Sequence, residues 1–473
     1  MSEQTASTSE DPLGASNRRD FFKLVGAGAG AAAAATVASP LLPASAFAAD
    51  SPKFKLGEPR PAFILDPDVL YMNIGTTGST PKHILKSFDD DDREVARNPL
   101  ETFGGVTPMR QAIAPGFGAQ LEEFVISYNT TDGMNKILAG VELNAGDEII
   151  TTNHEHPGGN GPMNLLLRRR GVKIVVLPLP VGNDQRATDY VDLFRAAITN
   201  KTKAFVFSAP TFLTGTMLPY KRLAKLAQSK GIMTIVDGAH ATGMFALDFN
   251  ATGIDFWGCS GHKWQCGPGG TGVLYIRNRV DRNNPLPLFN FWPTNTNNTL
   301  LTGPRTNENA ATYGIGTALQ SIGNPNYPML KAFAETCQFW DRIGRRTIEK
   351  HDLTLSLYLK GKIAEVWGVE HLYSPKDDPE LLSALTSFSP FHKNSLVLQL
   401  GDAATAETNQ STEFVTRMRE EYGIVIRNTA VPVIGSPAPH HPMRISTHLF
   451  HSARDVDRLV RSMKDLAMKM GVA

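Results

Sequence analysis

The residues best suited to chemistry gather between Gly231 and Arg277, where an apolar, β-branched run ends in Asp237 and Ser260-Gly261-His262-Lys263 follows between small-residue clusters. Lys263 is flanked by His262 and Trp264 and followed by Gly267-Pro268-Gly269-Gly270. A lysine enclosed in this way is partly dehydrated, which lowers its pKa and makes the free amine a nucleophile toward an aldehyde. Asp237 stands at the carboxyl end of a predicted strand, where open α/β sheets present ligand-binding groups. A carboxylate there can hold a pyridinium N–H. A Schiff-base lysine with such an aspartate is the pairing that pyridoxal phosphate (PLP) requires. The competing reading is a structural Asp–Lys pair beside a glycine-rich turn, since most lysines are solvated surface groups.

Val236-Asp237-Gly238-Ala239-His240-Ala241 and Ser260-Gly261-His262-Lys263 resemble the cofactor signature of class V aminotransferases, a family that includes cysteine desulfurases, isopenicillin N epimerase-like proteins and several lyases. The resemblance runs from about Tyr71 onward. It implies an α/β chain of the PLP-dependent transferase fold type I, with a mainly parallel seven-stranded sheet in a large domain and a smaller C-terminal α/β domain. It also implies a homodimer with sites near the subunit interface, and a small-molecule amino acid or amine as substrate.

Residue by residue, the resemblance makes Lys263 the Schiff-base lysine, Asp237 the partner of the ring nitrogen, and His156 the ring stacked on the pyridine face. Thr130, Thr131, Ser260 and His262 fall in the phosphate cup. His240 stands where desulfurases have glutamine and is expected at the phenolate oxygen, and Phe212 occupies a place where relatives often supply asparagine. Arg444, in Arg444-Ile445-Ser446, matches the arginine that grips the substrate α-carboxylate, a task suited to a bidentate guanidinium. Asn73 lies in a segment that borders the substrate mouth, and Thr306 in one that offers its hydroxyl to the partner's phosphate. Desulfurases carry a mobile-loop cysteine before that arginine. Residues 428–441 contain none, so persulfide chemistry is not expected.

These side chains need elements to hold them. Glu123–Tyr128 reads as a strand, and Asn129-Thr130-Thr131-Asp132 opens a helix whose first-turn N–H groups suit an anion. Taken alone, Thr-Thr-Asp is also an ordinary helix cap. Strands near 172–179, 203–210 and 232–240 alternate with helices near 192–198 and 223–230, the pattern of βαβ crossovers and a parallel sheet. The Asn-, Pro- and Thr-rich span 283–312 reads as an interface loop or a solvated linker. A helix from about Tyr327 to roughly Gly361 is expected to bridge to the small domain, with strands at Leu396–Leu400 and Gly423–Arg427 and a last helix at Ala453–Met468.

The chain's 473 residues exceed one ordinary core, and a net charge of +1 gives no electrostatic argument for nucleic acid or acidic lipid. Three cysteines with no CxxC pair indicate neither a disulfide framework nor a zinc ribbon. His154-Glu155-His156 invites a metal reading, but two histidines only two apart lack zinc-like spacing, and no metal is assigned. Residues 1–48 read as a twin-arginine signal peptide: Asn17-Arg18-Arg19-Asp20-Phe21-Phe22-Lys23, a Gly/Ala-rich run closed by Pro40 and Pro43, then Ala46-Phe47-Ala48. Export to the periplasm by the twin-arginine machinery is expected, with no stable membrane span. Residues 49–70 form a linker, 71–326 the PLP-binding domain and 327–473 the bridging helix and small domain.

From the α-carbanion, proton return to one face or the other, proton delivery to the cofactor, or loss of a β-group gives epimerisation, transamination or elimination. Sequence does not choose among them. Export combined with this family also resembles a periplasmic PLP enzyme that tailors the glutamate side group of pyoverdine siderophores. Two readings from other classes are a non-catalytic binding protein that keeps the cofactor fold, and a metal hydrolase using His154, Glu155 and His156.

Overall fold

Strands form where β-branched and aromatic residues run together. β1 (Phe124–Ser127), β2 (Glu148–Thr152), β3 (Lys173–Leu177), β4 (Thr202–Ser208), β5 (Met233–Gly238), β6 (Phe256–Ser260) and β7 (Gly272–Ile276) build one seven-stranded sheet. This is a computed structural model, and it describes residues 55–58, 62–99, 106–277, 290–291, 305–306, 315–320, 323–391 and 403–472. The twin-arginine segment, most of 283–312 and the strand expected at Leu396–Leu400 lie outside the described residues.

The strand order is β1-β7-β6-β5-β4-β2-β3, with β7 antiparallel to both neighbours and every other pair parallel. Helices α1 (Thr130–Gly140), α2 (Pro157–Arg170), α3 (Ala187–Ala197) and α4 (Tyr220–Gln228) link successive strands from β1 to β5. Strand side chains alternate between the two faces. Phe205, Phe207, Val236 and Trp257 therefore enter one core, while Ala204, Val206, Ile235 and Phe256 enter the other. Burial on both faces explains why these strands read as continuous apolar runs.

The bridging helix expected from Tyr327 to about Gly361 is two helices, α5 (Tyr327–Ile343) and α6 (Arg345–Trp367). They are broken at Gly344, whose φ of 95° lies in a region that favours glycine. Beyond them β8 (Leu385–Phe388), α7 (Ala403–Tyr422), β9 (Arg427–Asn428), β10 (Met443–Ser446) and α8 (Ala453–Lys469) assemble around a separate core that includes Leu359, Phe388, Phe414, Ile445, Leu459 and Met463. The antiparallel sheet there has the order β8-β10-β9, and β8 was not foreseen from sequence. In α8, Val456, Leu459, Val460 and Met463 recur at helical spacing, and Ser452 with Asp455 forms a capping box at its start.

Gly423–Arg427, expected as one strand, divides its pairing. Ile424–Val425 pairs in parallel with Leu70–Tyr71, Ile426 fills the small core, and Arg427–Asn428 joins β10. The change of partner sets Arg427 directly opposite Arg444. It also draws Leu70, at the end of the expected linker, and Met72 into the core formed with the C-terminal elements.

Candidate active site

β5 and β6 are parallel neighbours, and Asp237 stands between Ser208 on β4 and Gly258 on β6 in register. β6 ends at Ser260, and the turn that follows carries His262 and Lys263. A second loop lies on that turn: the Gly78 N–H donates to the His262 carbonyl at 2.7 Å. A Cβ on Gly78 would sit 2.2 Å from the Lys263 carbonyl oxygen, so only glycine permits this approach. The result is a cavity of about 330 Å³ lined by His156, Asp237, Lys263, Arg444 and the residues around them.

Nine of the sequence-predicted residues meet there: Thr130, Thr131, His156, Asp237, His240, Ser260, His262, Lys263 and Arg444. Asn73 does not line the cavity. Its Oδ1 instead accepts from Thr76 Oγ1 at 2.9 Å and from Arg444 Nη2 at 3.5 Å, holding two residues that do. Thr306 falls in the two-residue strand Arg305–Thr306, and its side chain lies outside the described residues.

Burial, then the nearby Arg444 guanidinium, lowers the Lys263 pKa to about 8. Roughly one lysine in ten is therefore a free amine at pH 7, far more than at the ordinary lysine pKa. Asp237 moves the other way, because burial raises its pKa, partly opposed by the Ala239 N–H and by Lys263. Its Oδ1 accepts from the Ala239 N–H at 3.0 Å. A cation docked on the remaining oxygen would favour the carboxylate form.

At the other end of the cavity α1 begins. Its N-cap is Asn129, whose side chain accepts from the Asp132 N–H, so the Thr-Thr-Asp run is the first helical turn and not the cap. Thr130 Oγ1 and Ser260 Oγ lie 2.8 Å apart. His262 Nδ1 is buried without a protein partner. Hydroxyls and first-turn amides make a neutral donor set suited to a phosphate, with the His262 ring beside them.

The histidines are held by fixed hydrogen bonds. Trp264 Nε1 can only donate, so at 3.1 Å it makes His240 Nδ1 an acceptor and leaves the neutral ring its proton on Nε2. Burial and then Lys263 hold His240 well below its usual pKa. His156 caps α2, accepting the Gly158 N–H through Nδ1 at 3.0 Å, and meets Phe212 edge to face with ring centroids 5.0 Å apart. Phe212 lines the cavity and contributes only its backbone carbonyl as an acceptor, to Arg444 Nη1 at 2.8 Å. The His154-Glu155-His156 cluster does not converge: His154 Nε2 lies 3.3 Å from the Pro432 carbonyl, and Glu155 is bound by Thr152 and Ser208. His440 is bonded by the Tyr373 hydroxyl and does not line the cavity.

Sequence reasoning missed Arg427, Gly75 and Thr76, which also line the cavity. A Cβ on Gly75 would come within 3.0 Å of Arg444 Nη2 and 3.2 Å of His240 Cε1. Gly75 and Thr76 follow Asn73 in the segment expected to border the substrate mouth, which was the signal for them. Nothing local in Gly423–Arg427 marked the arginine.

The family model for class V aminotransferases matches residues 91–459. The chain belongs to that family. Class V aminotransferases are PLP-dependent, and the donor set described above fits that cofactor. The isopenicillin N epimerase of Amycolatopsis lactamdurans is 25% identical over 415 residues, covering 85% of this chain and 96% of that protein. The isopenicillin N epimerase of Streptomyces clavuligerus is 29% identical over 227 residues, covering 46% of this chain and 56% of that protein. A probable cysteine desulfurase of Methanothermobacter thermautotrophicus is 24% identical, covering 85% and 95%. Among solved structures, a cystine C–S lyase in complex with cysteine persulfide superimposes with a TM-score of 0.66 at 22% identity, over 84% of this chain and 98% of its own. That likeness shows the fold type I architecture expected of the family.

Proposed function

We propose that this class V aminotransferase acts at the α-carbon of an amino acid or amine substrate through PLP linked to Lys263. The observation that carries the reading is the convergence of Lys263, Asp237 and Arg444 on one cavity. When bound, PLP supplies an aldehyde for the amine and a ring that accepts the electron pair left at the α-carbon. Thr130, Thr131, Ser260 and His262 hold its phosphate, Asp237 keeps the ring nitrogen protonated, and the Nε2–H of His240 donates to the phenolate oxygen. Arg444 orients the substrate through its α-carboxylate. As a free amine, Lys263 would take the α-proton and return it, a task matched to a pKa of about 8. Epimerisation, transamination and β-elimination remain the alternatives for the last step.

The test is the visible absorbance of the purified protein before and after borohydride, with peptide mapping of the reduced product and the Lys263→Ala variant as control. A chromophore fixed to the Lys263 peptide supports the reading, and a colourless protein that does not take up PLP overturns it. Incubation with candidate amino acids, followed by chiral and keto-acid analysis, separates the three outcomes.

Export belongs to the same proposal, supported by Arg18-Arg19 and the apolar run that follows. Fractionation of cells carrying the full chain or its Arg18→Lys, Arg19→Lys variant tests it, because the double substitution should leave the protein in the cytoplasm. Export is also what favours a second reading, a siderophore-tailoring transaminase-like role in the periplasm. A homodimer with sites near the interface is part of the proposal, and sedimentation of the mature chain tests it.

A further inference from the structure

Arg427 and Arg444 are Cα partners across β9 and β10, and both line the cavity. Like charges directly opposite on a sheet destabilise it. Nevertheless, neither guanidinium forms an ion pair with any described residue. Arg427 Nε donates to the Asn428 carbonyl at 3.2 Å, and Arg444 Nη1 to that of Phe212. Arg427 Nη1 and Arg444 Nη2 both approach one oxygen, Thr76 Oγ1, at 3.4 and 3.5 Å. Arg444 Nε is buried without a partner. The two cations are thus held side by side by neutral acceptors.

We propose that Arg427 determines specificity by binding a second anionic group, so that the preferred substrate is an amino acid carrying two carboxylates or an equivalent pair of oxyanions. This rests on the reading of the cavity as an amino-acid site with Arg444 at the α-carboxylate. The charge balance supports it. Lys263, Arg427 and Arg444 face the cavity against a single carboxylate, Asp237. In the proposed site Lys263 is committed to the cofactor and Asp237 to the ring nitrogen, while the cofactor phosphate is taken by a neutral cup at the other end. Two guanidiniums are left. A substrate with one carboxylate neutralises buried Arg444 and leaves Arg427, which is half-buried, partly dehydrated and without a counter-charge. A second carboxylate a few bonds from the first supplies that counter-charge.

The test is calorimetric titration of the cofactor-loaded protein with matched unreactive acids: butyrate against succinate, and pentanoate against glutarate. The expected result is that the dicarboxylates bind about tenfold or more tightly, as fits a charge-assisted bidentate contact. Arg427→Met should abolish the difference, Arg427→Lys should keep part of it, and Arg444→Met should weaken both classes. Equal binding of both classes by the unaltered protein, or binding of neither, overturns the proposal without needing any variant. So does an Arg427→Met protein that loses affinity for both classes alike, since Arg427 would then share one carboxylate with Arg444. Failure of the cofactor reading shows separately, as the absence of a borohydride-fixed chromophore on Lys263.

Discussion

The two ends of the cavity are built on opposite principles. At the α1 end the groups are neutral, namely hydroxyls and first-turn amides with the His262 ring beside them, and they come from two short stretches, Asn129–Thr131 and Ser260–His262. At the substrate end the donors are full charges: Arg444, which burial lowers to about 9, and Arg427, which burial also lowers. They are brought there by a small sheet and braced by Thr76, more than three hundred residues earlier in the chain. A helix terminus holds an anion without burying any charge, so the first end is inexpensive and local. One buried and one half-buried guanidinium, neither ion-paired with a described residue, are best matched by the ligand, so the second end favours a ligand that brings negative charge.

That contrast sets the expected size of each perturbation. Arg444→Met removes a buried charge that the substrate must meet, and should raise the substrate dissociation constant by about a hundredfold, measured by stopped-flow or calorimetry, with a smaller change in cofactor affinity. An equal loss at both ends would break the comparison. Ser260→Ala should weaken PLP by about tenfold, the worth of one hydrogen bond to a charged acceptor, in equilibrium dialysis. Because Ser260 and Thr130 bond each other, the double alanine variant should lose less than the sum of the two single losses.

Between the two ends stands Lys263. Its free amine increases about tenfold per pH unit below a pKa of about 8, is half formed there and reaches about nine-tenths one unit higher. The rate at which cofactor-free protein develops its chromophore should therefore rise steeply from pH 6 to about pH 8 and level off near pH 9. A rate still climbing at pH 9.5 would show a lysine of ordinary pKa. The smallest expected effect is at Lys360, which burial lowers to about 7 but which only donates to the Pro375 carbonyl at 2.8 Å and lines no described cavity. Borohydride labelling with PLP should leave the Lys360 peptide unmodified at every pH, because a low pKa without a cavity gives the amine nothing to react with.

The sequence by itself determined the parts in which chemistry and local structure share a segment. Asp237 closing an apolar run, Lys263 enclosed by His262 and Trp264, and Thr130-Thr131 at a helix start were all legible, since strand periodicity and helix-end chemistry act over a few residues. The alternating strands and helices likewise gave the mainly parallel sheet. The tertiary structure alone decided the rest. It showed that Asn73 braces Thr76 and Arg444 behind the cavity wall, that Asn129 and not Thr130 caps α1, and that Gly344 splits the bridging helix. Most of all it placed Arg427, since Gly423–Arg427 carries no mark of the partner change that sets it against Arg444. Pairing between distant strands is settled by which faces can be buried together, and that choice involves residues hundreds of positions apart.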